Sequence, residues 1–532
     1  MISESTVTEL QKNLIERVCV GDITTRGAAL YPDKAALIDG DRVVTYRQLD
    51  ERANRLGHAL LGLGLQPQSV VAVMAGNCAE LLEVYFACAK AGLICAPVNL
   101  GLRGEDIAYC LRDASARVLV VQASLVEAAR ALPEALPDLL AVYWTGDQPE
   151  QDLPKGAGTL DSLIAQGATE ELEVMVRDRD AVQLLYTSGT TANPKGVLTS
   201  HLAVTLAGMS SALSNRLGPQ GVYLAVLPMF HCAVLNSGAM STLTVGGTMV
   251  IAASFDALRV LELIQRHQVS TFVLLPMMYA QLLNEPRAAE YDTSSVVQAL
   301  YAMAPMPEER LHAIHALFPG ADVVLGSGQT EFTPPTCLQR SEHQWSKAAS
   351  WGTATAMTRV AIMDEHGNLL PNGEIGEIVY RGPMVMNGYL NQTEQTAECF
   401  RHGWFHSGDV AWMDEDGAIW FTDRKKDVIK TGGENVASVE VERCLMGHPA
   451  VAEAAVIGLP HERWGEAITA VVICQPEQTV QEEELMAYCR DKLAGFKVPK
   501  AVLFAGEFPR TGTGKIQKHV IRSRHQSHFQ ST

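Results

Sequence analysis

Leu184-Leu-Tyr-Thr-Ser-Gly-Thr-Thr-Ala-Asn-Pro-Lys-Gly196 joins an apolar run to a short segment that gathers hydroxyls, glycines and one lysine. Leu184 to Tyr186 reads as the end of a strand. Gly189 and Gly196 then let the backbone turn tightly and aim N–H groups inward. Thr187, Ser188, Thr190 and Thr191 offer hydroxyl donors, and Lys195 brings a mobile positive charge. This is phosphate-handling chemistry. It is not a Walker A loop, which needs Gly-Lys followed by Ser or Thr, whereas Lys195 is followed by Gly196. On composition alone a solvated Ser/Thr/Gly linker is the alternative, so other residues must decide.

The chain has 532 residues, beyond the size one core usually serves, so two or more domains are expected. Hydrophobic residues make up 47% and charged residues 19%, the balance of a globular enzyme and not of a disordered chain. The net charge of −18 disfavours nucleic acid and anionic membranes as partners. An acidic protein that binds a polyanion must concentrate its cations locally, which sharpens the interest of Lys195. Eleven scattered cysteines, without a C-x-x-C pair or metal-ligand spacing, suit reduced thiols. Neither a signal-peptide layout over Met1 to Asn13 nor an apolar run of membrane-spanning length is seen, so the expected location is cytoplasmic.

Helical and strand patterns alternate along most of the chain. Tyr46 to Leu63 is amphipathic at helical spacing, Ser69 to Met74 is a β-branched run, Cys78 to Ala91 is helical, and Ile94 to Pro97 is a strand. Ala116–Val121, Gly221–Leu227, Gly247–Ala252 and Val269–Leu275 read as buried strands. Such interleaving predicts largely parallel sheets covered on both faces. After Ile375 to Tyr380, short strands and glycine turns suggest a small barrel or meander. Beyond the charged run Asp423-Arg-Lys-Lys-Asp427, a helix at Val439 to Met446, strands at Ala454–Gly458 and Ala467–Ile473 and a helix at Glu482 to Leu493 suggest a separate α+β unit.

Several motifs fall in an order that resembles the acyl-adenylate-forming enzymes, the superfamily of acyl-CoA synthetases, amino-acid adenylation domains and beetle luciferases. They are the Thr187 to Gly196 loop, Pro228-Met-Phe-His231, Ala304-Pro305, Gly328-Gln-Thr-Glu331, Trp404-Phe-His-Ser-Gly-Asp409, Asp423-Arg424 through Lys426, Lys430-Thr-Gly-Gly-Glu-Asn435 and Pro509-Arg-Thr-Gly-Thr-Gly-Lys515. The resemblance runs from near Thr25 to near Val520. It implies an α/β multi-domain fold. A large N-terminal domain over 1–424 would hold two sheet-and-helix subdomains plus a small β-barrel, and a small mobile α+β domain would occupy 425–532, with the hinge at Lys426.

The resemblance also implies a two-step reaction, in which a carboxylate attacks the α-phosphate of ATP and a thiol then takes the acyl group from the acyl adenylate. Both first reactants are anions, so fixed donors and cations are required. Thr187, Ser188, Gly189, Thr190, Thr191 and Lys195 would hold the β- and γ-phosphates. Glu331, with Thr190, would hold Mg²⁺, and Gly328, Gln329, Thr330 and Ala304 would line the nucleotide. Asp409 would accept the ribose hydroxyls with Arg424 beside it, and Lys515 would bridge the carboxylate and the α-phosphate. Gly432 and Gly433 would flank the coenzyme A tunnel, a plain hairpin turn being the alternative. Family members are often homodimers.

His231, Cys232, Ser237, Ala302, Met303 and Phe332 are the expected acyl-pocket residues, with Ala233, Val234, Leu235, Met240 and Met306 around them. His231 stands where amino-acid adenylation domains carry an aspartate, which argues against an amino acid. No lysine or arginine occurs from Phe230 to Met240, which disfavours a dicarboxylate. An apolar monocarboxylic acid is expected, a medium- or long-chain fatty acid first and an aryl or cyclic acid as the alternative. Ala302-Met303 replaces a glycine pair and should shorten or redirect that pocket. Ser327 stands in place of an adenine-stacking aromatic, and Ala192 in place of a glycine. A carrier-protein loader, a luciferase-type oxygenase and a non-catalytic sensor are the other classes left open.

Overall fold

A computed structural model describes residues 7–102, 104–146, 158–187, 193–302, 306–511 and 515–529. Two compact units emerge. The first runs to Val360 and takes in Tyr380–Phe405; the second is Ala361–Val379 with the chain from His406 onward.

The first unit holds two sheets. In one, the strands Gly388–Tyr389, Lys195–Ser200, Ala181–Thr187, Ile94–Pro97, Val70–Met74, Val118–Gln122, Ala141–Thr145 and Gly158–Thr159 lie side by side in that order. Val70–Met74 is buried at every position, as its run of valines requires of a central parallel strand. Each such valine contributes about 1.5–3 kcal/mol relative to an exposed one. The helix Tyr46–Gly62 starts in a capping box, Thr45 and Gln48 satisfying each other's backbone N–H. The helix Ala79–Lys90 is buried almost all round, as its mostly apolar sequence demands.

The second sheet of this unit contains the parallel strands Thr248–Ile251, Val222–Ala225, Thr271–Leu274, Gln298–Ala302 and Asp322–Ser327. Antiparallel strands extend both edges. The expected interleaving of strands and helices is therefore present, with strand ends within a few residues of the sequence reading.

The Thr187 to Gly196 segment lies between two paired strands. Ala181–Thr187 and Lys195–Ser200 form an antiparallel hairpin, with Thr187 opposite Lys195, so the loop joins two neighbouring strands. Its residues 188–192, including Ser188, Gly189, Thr190 and Thr191, lie outside the described residues, as do Met303 and Ala304.

In the second unit, the region read as a small barrel or meander contributes to a four-stranded sheet, whose neighbours Phe405–Met413 and Ile419–Arg424 pair antiparallel. A further sheet is built on the long hairpin Val451–His461 and Gly465–Cys474, joined by Ala501–Phe504 in parallel and by the hairpin Ile429–Thr431 and Glu434–Val436. Helices Ser438–Met446 and Glu482–Lys492 contribute Val441, Leu445, Leu485 and Cys489 to its core. Among the described residues no helix is long and apolar enough to cross a membrane.

Candidate active site

In the first unit, Lys195 begins the strand Lys195–Ser200, and its Nζ sits 5.2 Å from the ring centroid of Tyr389. The hydroxyl of Tyr389 donates to Oε1 of Glu331 at 2.9 Å. Glu331 lies in the short turn Thr330–Phe332, and its carbonyl oxygen accepts from the Met386 N–H at 2.8 Å. Lys195 and Glu331, distant in sequence, thus meet on one tyrosine. Burial, and after it the neighbouring Glu331 charge, holds the Tyr389 phenol well above its usual range, so it is a donor at neutral pH.

Gly328 precedes this turn, and a Cβ there would lie 2.5 Å from Cβ of Pro334, so only glycine lets the two segments close. Thr330 is buried, with its Oγ1 3.3 Å from Sγ of Cys232. His231 caps the short helix Cys232–Val234, its Nδ1 accepting from the Ala233 N–H at 3.2 Å. The Ser237 hydroxyl donates to the Pro334 carbonyl at 2.8 Å.

The residues expected to line the acyl pocket differ in exposure. Phe332 has no exposed surface and packs against Tyr380 and Phe405, with ring centroids 5.2 and 6.1 Å away. Cys232, Val234, Leu235, Met240 and Met306 are likewise buried in hydrophobic clusters. Among the expected lining residues, His231, Ala233, Ser237 and Ala302 keep partial exposure.

In the second unit, Asp409 and Arg424 face each other across the antiparallel pair Phe405–Met413 and Ile419–Arg424. Arg424 Nε lies 2.8 Å from Oδ1 of Asp409, whose side chain is only 5% exposed, so the two form an ion pair. Next to it, the buried Glu377 accepts from Gly408 N–H at 3.0 Å and meets His406 Nδ1 at 3.1 Å and Lys425 Nζ at 3.0 Å. Burial pushes the Glu377 carboxyl up, but the His406 and Lys425 contacts outweigh it and hold the group below its ordinary value.

Lys426 lies in the turn after Arg424, where the Asp427 N–H donates to the Arg424 carbonyl at 2.8 Å. Gly432 and Gly433, with φ of 60° and 88°, form the two-residue turn between Thr431 and Glu434. Positive φ at both positions is what such a hairpin requires, so the plain-turn reading already accounts for both glycines. Lys515 is exposed at the base of a loop closed by Thr511 N–H to the Lys515 carbonyl, 2.8 Å, and Lys515 N–H to Thr511 Oγ1, 3.1 Å. Three residues on, Lys518 Nζ anchors the segment to Glu442 Oε1 and Ser438 Oγ, both at 2.6 Å.

The chain matches the model of the AMP-binding enzyme over residues 24–390 and that of the AMP-binding enzyme C-terminal domain over 440–515. The chain belongs to the AMP-binding enzyme family. It is 36% identical to the feruloyl-CoA synthase of an Amycolatopsis species over 95% of its length and 99% of that protein. It is 33% identical to the long-chain-fatty-acid–CoA ligase FadD13 of Mycobacterium tuberculosis, over 96% of its length and 99% of that protein. A solved structure of the anthranilate CoA ligase AuaEII with anthranoyl-AMP superposes with a TM-score of 0.86 at 28% identity, covering 96% of this chain and 98% of that one. This AMP-binding enzyme is an adenylate-forming acid–thiol ligase of the acyl-CoA synthetase branch, and ATP and coenzyme A are its co-substrates.

Sequence reading missed Tyr389. Its signal is faint, a lone tyrosine after Gly388 in a strand of two residues. It missed the Glu377 cluster too, because Glu377, His406 and Lys425 come from three separate segments.

Proposed function

We propose that this AMP-binding enzyme activates a compact, apolar monocarboxylic acid, an aryl acid before a long-chain fatty acid, and transfers it through the acyl adenylate to coenzyme A. The observation that carries the adenylation chemistry is the meeting of Lys195 and Glu331 on Tyr389. It sets a cation and a hard carboxylate at the start of the strand that follows the loop. In this reading Lys195, with the loop hydroxyls of Thr187 to Thr191, neutralises the β- and γ-phosphates. Asp409 and Arg424 hold the ribose, and Thr330 donates to the α-phosphate.

Glu331 is a suitable Mg²⁺ ligand, and Thr190 is the second expected one, because a hard carboxylate held by a hydrogen bond presents its oxygens in a fixed direction. Mg²⁺ is bound by few protein groups and by substrate phosphates and water, and when bound it would offset the charge gathering on those phosphates. Lys515 bridges the carboxylate and α-phosphate in the first half-reaction. Rotation about Lys426, at the boundary between 1–424 and 425–532, then brings Gly432 and Gly433 beside the incoming thiol.

The small side chains of Ala233, Ser237 and Ala302, partly exposed as His231 is, support a compact acid. Similarity to a feruloyl-CoA synthase and to an anthranilate CoA ligase points the same way. Similarity to FadD13 favours the fatty-acid reading as the second. The enzyme would act in the cytoplasm. AMP release with coenzyme A present, measured across aryl, cyclic and fatty acids, should give its highest kcat/KM with an aryl acid. A rise with aliphatic chain length and no turnover of aryl acids would replace this reading by the fatty-acid one.

A further inference from the structure

We propose that Tyr389 is a positioning residue for the nucleotide end of the site, holding the Glu331 carboxylate in one direction and keeping the Lys195 ammonium apart from it. The inference rests on the roles given above to Glu331 and Lys195. The backbone register dictates the arrangement. Gly388–Tyr389 pairs antiparallel with Lys195–Ser200, Tyr389 standing opposite Val197. Lys195 is two residues before Val197, so the pleat puts both on one face and makes Lys195 a diagonal neighbour of Tyr389. The pairing is continued by the Leu390 N–H to the Gly196 carbonyl and the Asn387 N–H to the Leu198 carbonyl, each 2.8 Å. The same segment is tied to Glu331 through the Met386 N–H. The tyrosine therefore has a fixed backbone on both sides.

Its two ends do different things. The hydroxyl donates to Oε1 of Glu331 at 2.9 Å, a charge-assisted bond that restricts the carboxylate's rotation. The ring face lies 5.2 Å from Lys195 Nζ and attracts the ammonium through its quadrupole. Between a cation and a carboxylate, the ring is also a spacer. Among the described residues, Lys195 and Glu331 form no ion pair with each other, although both converge on Tyr389. Were they to collapse together, each would quench the charge the phosphates need. Tyr389 thus divides the site into a carboxylate side and an ammonium side.

The test uses the full-length enzyme and isothermal titration calorimetry of ATP, with and without Mg²⁺ and with no acid present. Tyr389→Phe keeps ring and spacer and removes the hydroxyl. It should leave metal-free ATP affinity within about twofold of the parent, while the gain in affinity on adding Mg²⁺ falls about tenfold. Tyr389→Ala removes the ring as well and should weaken metal-free ATP binding about fivefold or more. In a Glu331→Gln background, the further loss caused by Tyr389→Phe should vanish, because the hydroxyl acts through that carboxylate. A Tyr389→Phe enzyme with an unchanged Mg²⁺ gain, or with equal losses in both titrations, would overturn the positioning role. A Glu331→Gln enzyme that keeps the full Mg²⁺ gain would overturn the assignment of Glu331 and the proposal with it.

Discussion

His201 opens the helix His201–Ser214 with no exposed surface, and its Nδ1 accepts the Val20 N–H at 3.2 Å. Burial, helped by the charge of Arg17, pulls its pKa from 6.5 down to about 3. Protonation would therefore place a charge in the core and cancel the acceptor of Val20. The unfolded chain binds this proton between pH 6.5 and 3 and the folded chain does not, so stability rises with pH across that window. The contribution is complete above pH 6.5 and is lost as pH falls below it. At about 1.4 kcal/mol per pH unit, lowering pH from 7.0 to 5.0 should cost about 2 kcal/mol through this residue alone. His201→Asn retains an acceptor near Val20 and removes the titration. Urea unfolding of parent and variant at both pH values isolates the effect, since other titrating groups are common to both. The parent should lose about 2 kcal/mol more than the variant. Equal losses in the two proteins would refute the claim that His201 is held neutral by burial.

Lys515→Ala should nearly stop adenylation, measured as acid-dependent pyrophosphate exchange, while thioester formation from supplied acyl adenylate continues; equal loss of both would contradict the two-orientation mechanism. Met303→Gly should admit longer acids in a chain-length series of AMP release, and an unchanged profile would count against a wall at this position. Glu83 is fully buried and paired to Arg42 Nη2 at 2.6 Å and Arg52 Nη2 at 2.8 Å; Glu83→Ala leaves Arg42 its pair with Glu80 and Arg52 its pair with Asp161, so it should destabilise the enzyme by about 1–3 kcal/mol in thermal unfolding.

The strands Val70–Met74 and Ile94–Pro97 were readable because buried parallel strands leave near-continuous apolar runs. The helix Tyr46–Gly62 was readable from its 3.6-residue period. Register was not readable. Asp409 and Arg424 were both named from motifs, but their separation in sequence does not reveal that they stand directly opposite each other across two strands. Tyr389 was missed for the same reason, since its place beside Lys195 depends on which residue of a short edge strand meets Val197. Glu83 was invisible within an apolar helix, since its partners Arg42 and Arg52 come from other elements. Long-range pairing, more than local propensity, separated what could be read from what could not.

Acid-dependent exchange of labelled pyrophosphate into ATP, with coenzyme A omitted, tests the central claim most directly. An enzyme that forms an acyl adenylate before any thiol arrives should incorporate label with an apolar monocarboxylic acid and not without one. No exchange with an acid whose coenzyme A thioester the enzyme makes, or exchange only when coenzyme A is present, would contradict the account.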